Sequence, residues 1–246
     1  MEQGGTLAPE RFGYSMPVDA PLYPKPPILY RDAQFAVITY ETDPEAAARA
    51  LPAGLALPAP AVAQVIVAHY PSSSVGPYTE AIQQIQCEWE SQPRSFIGKI
   101  LLDNDAAIAA GREIYGFPKK FAFVELRRDG DTLLGTLERP RGHRLLSLRM
   151  TLTERREIPP GPAEGAVVSL RLIPDIENGE KPSLMELTEV TIKSAVKEAW
   201  AATGSVEFGP PSEADPWSAL PVRRLLAAYY TVFDFELPLG RVLKRY

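Results

Sequence analysis

The chain of 246 residues carries a formal net charge of -5, and 45% of its residues are hydrophobic. This composition is typical of a globular protein with a sizeable core, whereas a general nucleic-acid-binding protein needs a basic face. No apolar run approaches the roughly eighteen residues of a membrane span, and the N-terminal region lacks the basic-then-apolar order of a signal peptide. We therefore expect a cytoplasmic protein without nucleic-acid or membrane partners.

The residue inventory argues against several kinds of catalytic site. The chain has two histidines, His69 and His143, and one cysteine, so neither histidine has a partner at the spacing of a zinc or haem ligand. It also has no phosphate-binding glycine loop and no G-x-S-x-G nucleophile turn. We expect no metal site, no nucleotide cofactor and no serine hydrolase chemistry.

The N-terminal part of the chain predicts an arm followed by a strand and a short helix. Residues 1–27 are rich in glycine and proline, which predicts an extended arm, and we expect residues 28–246 to form one domain. Near-alternation of apolar residues over 28–40 predicts a strand or a hairpin pair. Asp43 is placed to cap a helix that begins at Pro44 and stops by Gly54.

Strands dominate the prediction for the rest of the chain. The apolar run 61–70 predicts a strand buried on both faces, and the next strand is expected to continue through Trp89. Asp103 or Asn104 caps a helix predicted over 105–112, with Gly111 marking its end. Further strands are predicted over 132–137, 145–152, 167–173, 187–200 and within 222–242, separated by proline-rich turns at 139–142 and 159–162. Many strands with few short helices predict a mainly β or α+β barrel.

One segment, GREIYGFPKKFAF, places two adjacent lysines among aromatic rings. Lys119 and Lys120 follow a proline, with Tyr115 and Phe117 just before them. A lysine amine is a cation at neutral pH, and apolar surroundings and a second cation both disfavour that charge. A neutral amine can attack a carbonyl group to form a Schiff base. The segment is therefore a candidate catalytic site, and the alternative is a solvated lysine pair in a turn.

The stretch LLDNDAAIAAGREIYGFPKKFAF resembles the signature of the acetoacetate decarboxylase family. Similar stretches include VITYETD near Tyr40, PYTE at Glu80, IPDIENG after Ile173 and ALPVRRLL after Ala219. The resemblance extends from about Pro24 to the C-terminus. It implies the family's cone-shaped closed β-barrel, assembly into homo-oligomers, a small-molecule keto acid substrate and no external cofactor.

The resemblance also implies roles for particular residues. Lys119 is expected to form the Schiff base, Lys120 to be its charged neighbour, and Glu80 to lie beside the lysines and move protons. Tyr115 and Phe117 are expected to line the substrate site.

Two positions depart from the family pattern. The family's first-strand arginine, which handles the substrate carboxylate, is replaced by Ala33. Arg31 lies two residues away and is the candidate substitute, the alternative being a solvated arginine at the strand end. The second acidic position of the family falls on Val65, beside Gln64, which becomes a candidate substrate-binding residue.

Three functions remain open from the sequence. The first is decarboxylation of acetoacetate or a related β-keto acid through an imine on Lys119. The second is an aldolase-dehydratase type of lyase that uses the same imine with a keto acid and an aldehyde, and the changes at Ala33 and Val65 favour it. The third is a non-catalytic barrel that binds a small ketone. The lysine pair and Glu80 argue against the third, since folding of a barrel does not require them.

Overall fold

The computed structural model describes residues 4–158 and 163–246, and strands make up most of these ranges. The strands are β1 (Ile28–Glu41), β2 (Val62–Tyr70), β3 (Ser72–Ser73), β4 (Tyr78–Trp89), β5 (Gln92–Leu102), β6 (Lys119–Phe121), β7 (Phe123–Asp129), β8 (Thr132–Glu138), β9 (Arg144–Arg155), β10 (Ala163–Ile173), β11 (Leu184–Phe208), β12 (Arg224–Leu237) and β13 (Arg241–Arg245). The helical elements are α1 (Pro44–Ala50), α2 (Asp105–Ala110), a π-helical turn (Gly111–Tyr115) and two 3-10 turns (Pro9–Arg11 and Trp217–Ala219). None of the helices described is both long and apolar enough to cross a membrane.

Seven strands pair into a ring. Their order is β10, β5, β4, β2, β1, β12 and β11, and β11 pairs back onto β10. The contact between β10 and β5 is parallel, and the other neighbours in the ring are antiparallel. The long strand β11 continues past the ring and pairs with β9, which leads on to β8 and β7. The prediction of a mainly β fold with a few short helices is confirmed.

Strand β2 shows why an almost wholly apolar sequence suits this arrangement. Ile66 and Ala68 belong to the core inside the ring, whereas Val65 and Val67 belong to a second core that includes residues of β7, β8 and β9. Because side chains alternate between the faces of a strand, a strand between two cores must be apolar on both. The prediction of burial on both faces is confirmed.

The predicted elements differ from the structure at several boundaries. Residues 28–41 form one strand rather than a hairpin, with an irregular register at Arg31 and Asp32. The helical backbone does not stop at Gly111, which begins the π-helical turn, and Gly116 caps that turn. Strands β5 and β7 were not predicted, and the proline turn expected at 159–162 lies outside the described residues.

The last part of the N-terminal segment contacts the rest of the fold through Tyr23. Between residues 4 and 27 the regular structure is a single 3-10 turn. Tyr23 in this segment is buried, and its hydroxyl donates a hydrogen bond to Glu113 of the π-helical turn. The segment therefore packs its last part against the helical element that leads to Lys119.

The ring is closed by few backbone contacts, and a buried ion pair supplements them. Strands β10 and β5 share two residue pairs in register. Arg94 on β5 forms an ion pair with Glu189 on β11, which also binds Arg241 on β13 at 2.7 Å. Burial alone would raise the pKa of Glu189, but hydrogen bonds from Arg241 and Arg94 outweigh it and hold that pKa below its usual range.

We predict that Glu189→Gln lowers the free energy of unfolding at pH 7 by about 2 to 4 kcal/mol, because it leaves two arginines without their buried partner. A carboxyl group with a lowered folded-state pKa stabilises the fold above its unfolded pKa of about 4.3, and this stabilisation disappears as the pH falls through the folded-state pKa. The difference between wild type and variant should therefore shrink in acid. Urea unfolding at pH 7 and near pH 4 measures it.

The matched control is Glu154→Gln, because the ion pair of Glu154 with Arg156 is largely exposed. Its effect should stay within about 0.5 kcal/mol. An equal loss of unfolding free energy for Glu189→Gln at both pH values would contradict a stabilising role for the charge of Glu189.

Candidate active site

The interior of the ring contains a cavity of about 360 Å³. All seven ring strands contribute to its walls, which are mainly aromatic and aliphatic, with Lys119 and Glu80 among the few polar groups. Both of these side chains are buried, with 5% and 4% of their surfaces exposed. A concave, mostly apolar cavity with a few convergent polar groups is the usual form of a small-molecule site.

The strand pairing of β6 directs the two lysines to opposite sides. Strand β6 runs parallel to β5, with Lys119 opposite Ile100, which also lines the cavity. Since consecutive side chains of a strand point to opposite faces, Lys119 enters the ring and Lys120 leaves it. The exposure of the two side chains agrees, because Lys119 is buried and Lys120 is 43% exposed.

Lys119 and Glu80 form a buried ion pair. The Lys119 Nζ atom lies 2.8 Å from Oε2 of Glu80, and Oε1 of Glu80 accepts a hydrogen bond from the Tyr70 hydroxyl at 3.1 Å. The Nζ atom also lies 5.5 Å from the ring centroid of Tyr78 and 5.9 Å from that of Phe117. Burying two charges is costly, and the carboxylate, the hydroxyl and the two ring faces offset part of that cost.

Three tyrosines surround the ion pair as neutral hydrogen-bonding groups. The hydroxyls of Tyr30 and Tyr78 are 3.1 Å apart, and Tyr70 donates to Glu80. Burial raises the pKa of each of these hydroxyls, and the charge of Glu80 raises it further. All three therefore remain protonated at neutral pH and can donate hydrogen bonds within the cavity.

Gly111 provides the space that Lys119 needs. A Cβ atom at this position would lie 2.5 Å from Cδ and 2.8 Å from Cε of Lys119. Contacts this short do not occur, so the lysine stem occupies the volume that a side chain would take. The sequence prediction treated Gly111 as a helix end, but its function in the fold is close packing against Lys119, and Gly116 with φ 75° ends the helical segment.

Lys120 contacts a separate charged cluster outside the cavity. Its Nζ atom lies 3.1 Å from Oδ1 of Asp215 and donates to the carbonyl oxygen of Ala214 at 2.6 Å. Arg139 binds the other carboxylate oxygen of Asp215 at 2.7 Å. The expectation that Lys120 is the charged neighbour of Lys119 at the site is corrected by this geometry, because alternation along β6 turns the two side chains apart.

Two other residues expected to bind substrate lie behind the cavity wall. Tyr115 stacks on Phe117 with ring centroids 5.3 Å apart and donates to the carbonyl of Leu237, so Phe117 lines the cavity and Tyr115 supports it. Gln64 accepts a hydrogen bond from Gln84 at 2.6 Å, and it is Gln84 that lines the cavity.

Arg31 does not take the place of the family's first-strand arginine. Its side chain is 48% exposed and lies 3.9 Å from Asp234, outside the cavity. The irregular register between Tyr30 and Ala33 removes the simple two-residue periodicity by which Arg31 was expected to share a face with position 33. The alternative of a solvated arginine describes its position.

Tyr70, Tyr78 and Gln84 were missed as site residues by the sequence analysis. Tyr78 and Gln84 lie on β4 at even spacing from Glu80, so they share its face of the strand. That alternation was visible in the sequence and could have identified both residues once Glu80 was chosen. Tyr70 lies opposite Tyr78 across the β2–β4 pairing, which the sequence does not give. In residues 4–158 and 163–246, no cluster of three or more His, Cys, Asp or Glu residues could hold a metal ion.

Comparison with known proteins agrees with the resemblance noted in the sequence. The family model described as acetoacetate decarboxylase (ADC) matches residues 15–246. The acetoacetate decarboxylase of Ralstonia nicotianae is 31% identical over 242 residues, which is 95% of either chain. The crystal structure of acetoacetate decarboxylase from Legionella pneumophila aligns with a TM-score of 0.85 at 29% identity, covering 100% of this chain and 99% of that one.

A second type of relative shares the fold. The enduracididine biosynthesis enzyme MppR complexed with pyruvate aligns with a TM-score of 0.80 at 20% identity, covering 95% of this chain and 98% of that one. At this identity the similarity concerns the fold alone.

We predict that Gly111→Ala lowers the free energy of unfolding by about 1 to 3 kcal/mol, since the added methyl group must displace the Lys119 stem. Gly179→Ala is the control, because a Cβ atom at Gly179 meets nothing within 4 Å. That change should stay within about 0.5 kcal/mol of wild type. Urea unfolding measures both, and equal stabilities for the two variants would show that Gly111 is not packed against the lysine.

Proposed function

Because the chain belongs to the acetoacetate decarboxylase family, we propose that it is a carbon–carbon lyase that decarboxylates a β-keto acid through an imine on Lys119. The observation that carries this proposal is the buried Lys119–Glu80 pair, 2.8 Å apart, at the wall of an apolar cavity. A lysine that serves only solubility or surface charge has no reason to lie in such a position. The reaction begins and ends at this pair.

The first steps form the imine. Glu80 accepts a proton from the Lys119 ammonium group, which converts two buried charges into two neutral groups. The free amine attacks the ketone carbon, and loss of one water molecule gives the imine, with its carbon–oxygen bond replaced by a carbon–nitrogen double bond. Glu80 returns its proton to the departing hydroxyl, which leaves as water. The nitrogen lone pair forms the new double bond, and the hydrogen that stays on nitrogen makes the imine cationic.

The protonated imine then accepts the electron pair released by decarboxylation. The bond between the α-carbon and the carboxylate breaks, carbon dioxide leaves, and the electron pair moves through the α-carbon to the imine nitrogen to give an enamine. Protonation of the α-carbon and addition of water release the ketone product and the free lysine. No oxidant, reductant or external cofactor enters the balance.

The tyrosine hydroxyls bind the substrate carboxylate in place of the family's first-strand arginine. Among the described residues that line the cavity, Lys119 is the one cation, so no arginine is available for this task. The hydroxyls of Tyr30 and Tyr78 lie 3.1 Å apart and remain protonated, and the Tyr78 ring lies 5.5 Å from Nζ of Lys119. Neutral donors bind a carboxylate less firmly than an arginine does, and a weakly held carboxylate is released more readily as carbon dioxide.

A second candidate is an aldol type of lyase that joins a keto acid to an aldehyde through the same imine. The observation that favours it is the cavity volume of about 360 Å³, which has room for a second reactant beside the imine. The fold similarity to an enzyme crystallised with pyruvate is compatible with this chemistry. Release of carbon dioxide separates the two candidates.

We also propose that the chain acts as a homo-oligomer in the cytoplasm. Several large apolar side chains of the N-terminal segment are exposed in the single chain, among them Phe12, Tyr14 and Met16. An extended segment with this much exposed apolar surface is suited to cover a second copy.

Cys87, the single cysteine, is buried, and no intrachain disulfide can form.

Lys119→Arg should abolish both carbon dioxide release from acetoacetate and the adduct trapped by borohydride, a loss of about a thousandfold or more. Intact mass and peptide mapping locate the adduct. Arginine keeps the positive charge beside Glu80, so the fold should survive, which circular dichroism checks.

Lys99→Arg and Lys120→Arg are the matched controls for this experiment. Burial lowers the pKa of Lys99 to about 8, but Lys99 lies outside the cavity and donates to Gln83. Both variants should retain the adduct and most of the turnover. An adduct that disappears with Lys99→Arg and persists with Lys119→Arg would overturn the assignment.

Glu80→Gln should lower kcat by about a hundredfold or more, because the amide cannot accept the lysine proton.

Tyr70→Phe should lower kcat by about tenfold and move the acid limb of the pH profile, because Tyr70 positions Glu80 and donates to its carboxylate. Steady-state kinetics across pH measure both effects.

The control for Tyr70→Phe is Tyr40→Phe, which removes a hydroxyl that is buried outside the cavity and donates to the carbonyl of Leu220. This variant should lose a similar amount of stability and keep the pH profile. Identical profiles for the two phenylalanine variants would argue against a positioning role for Tyr70.

A further inference from the structure

The cavity is larger than a short keto acid requires. At about 30 Å³ per molecule of liquid water, a volume of about 360 Å³ corresponds to roughly twelve waters. A molecule the size of acetoacetate would leave most of this space to solvent, and apolar walls offer solvent few hydrogen-bond partners. The volume therefore indicates a ligand that is larger than acetoacetate and mostly apolar.

Strand β4 gives the length and direction of the cavity. Glu80, Ile82 and Gln84 face it in turn, and a rise of about 3.3 Å per residue puts Gln84 about 13 Å along the strand from Glu80. Strands β5 and β10 begin at the Gln84 end, where Ser95 is partly exposed and Gly165 is exposed. Among the described residues, the cavity therefore opens near Gln84, and the Lys119–Glu80 pair lies at its closed end.

The wall between the two ends is apolar and uncharged. Ile66 and Ile82 lie opposite each other on β2 and β4, and Ile97 lies opposite Gln84 on β5. Phe35 and Phe233 add two rings whose centroids are 4.7 Å apart. A chain without polar groups would fit against these side chains along the whole distance.

We propose that the substrate is a β-keto acid whose acyl group is an unbranched apolar chain that lies from Lys119 towards Gln84. Carbon–carbon bonds of about 1.5 Å and a length of about 13 Å leave room for roughly six to eight chain carbons beyond the ketone. This inference rests on the proposed imine at Lys119, which holds the ketone carbon at the closed end.

Gln84 limits the length of substrate acyl chain that the apolar wall can contact. Its side-chain amide donates to Gln64 at 2.6 Å, and Gln64 donates to Thr39 at 3.0 Å, so the amide is held in place at the wall. A methyl group that reaches this amide leaves the apolar wall, and further methylenes gain no apolar contact. The dependence of activity on chain length should therefore rise and then level off.

The test is carbon dioxide release from a series of straight-chain β-keto acids that begins with acetoacetate. We expect kcat/KM to rise about threefold for each added methylene until the chain reaches Gln84, and then to stay level. Ile97→Trp narrows the cavity beside Gln84, where a long acyl chain would end, and should lower the ratio of long-chain to acetoacetate kcat/KM by about tenfold or more. Leu134→Trp, at a position on β8 that is 37% exposed and outside the cavity, is the control and should leave that ratio unchanged.

Borohydride trapping on the same samples separates this inference from the proposed function. A flat or falling chain-length profile, with the acetoacetate adduct still on Lys119, would overturn the long-chain substrate and leave the imine enzyme in place. A flat profile together with condensation of an aldehyde onto a pyruvate adduct would assign the extra volume to a second reactant, which also overturns it. Absence of an adduct with every ketone would overturn the proposed function itself.

Discussion

The structure depends on keeping one ion pair, Lys119 with Glu80, away from water inside a ring of strands. An apolar enclosure makes the charged pair expensive, so its components must be held at contact distance and supplied with hydrogen bonds. The ring provides the enclosure, Tyr70 provides a hydrogen bond to Glu80, and the absent side chain of Gly111 provides the space for the lysine stem. Loss of any of these would leave a buried charge without its partner or a lysine without room.

The adjacent lysines serve different parts of the fold. Alternation along β6 sends Lys119 into the ring and Lys120 to Asp215, which also binds Arg139. Lys120 thus connects the strand that carries the reactive amine to the segment before the last 3-10 turn. The sequence indicated two influences on the Lys119 amine, apolar surroundings and a neighbouring cation. In the structure Lys119 has the apolar surroundings, and the neighbouring cation, Lys120, lies beside Asp215 instead.

Much of the fold could be predicted from local patterns. The cap of α1 by Asp43 and the burial of β2 on both faces were predictable because each depends on residues that are close together in sequence. Strand β5 was missed because Pro93 and Gly98 interrupt its pattern, and its pairing with β10 and β6 involves residues distant in sequence. Gly111 was mistaken for a helix end because a glycine after a helix usually is one, and its contact with Lys119 exists only in three dimensions.

The candidate site was predictable where the family resemblance and the strand periodicity agree. The resemblance pointed to Lys119 and Glu80, and the structure places them in contact. It also pointed to Lys120, which the alternation of β6 directs away from the cavity. Arg31 was inferred from the two-residue periodicity of a regular strand, which the register irregularity of β1 breaks. The aromatic and isoleucine walls come from seven strands, and no single stretch of sequence reveals which of their side chains meet.

A crystal structure of the borohydride-reduced complex with a β-keto acid would test the account most directly. We expect continuous density from Nζ of Lys119 into the cavity, with Glu80 within hydrogen-bond distance of the new secondary amine and the chain directed towards Gln84. Density for the adduct on Lys99 or Lys120, or an unmodified Lys119 in a protein that still releases carbon dioxide, would contradict it.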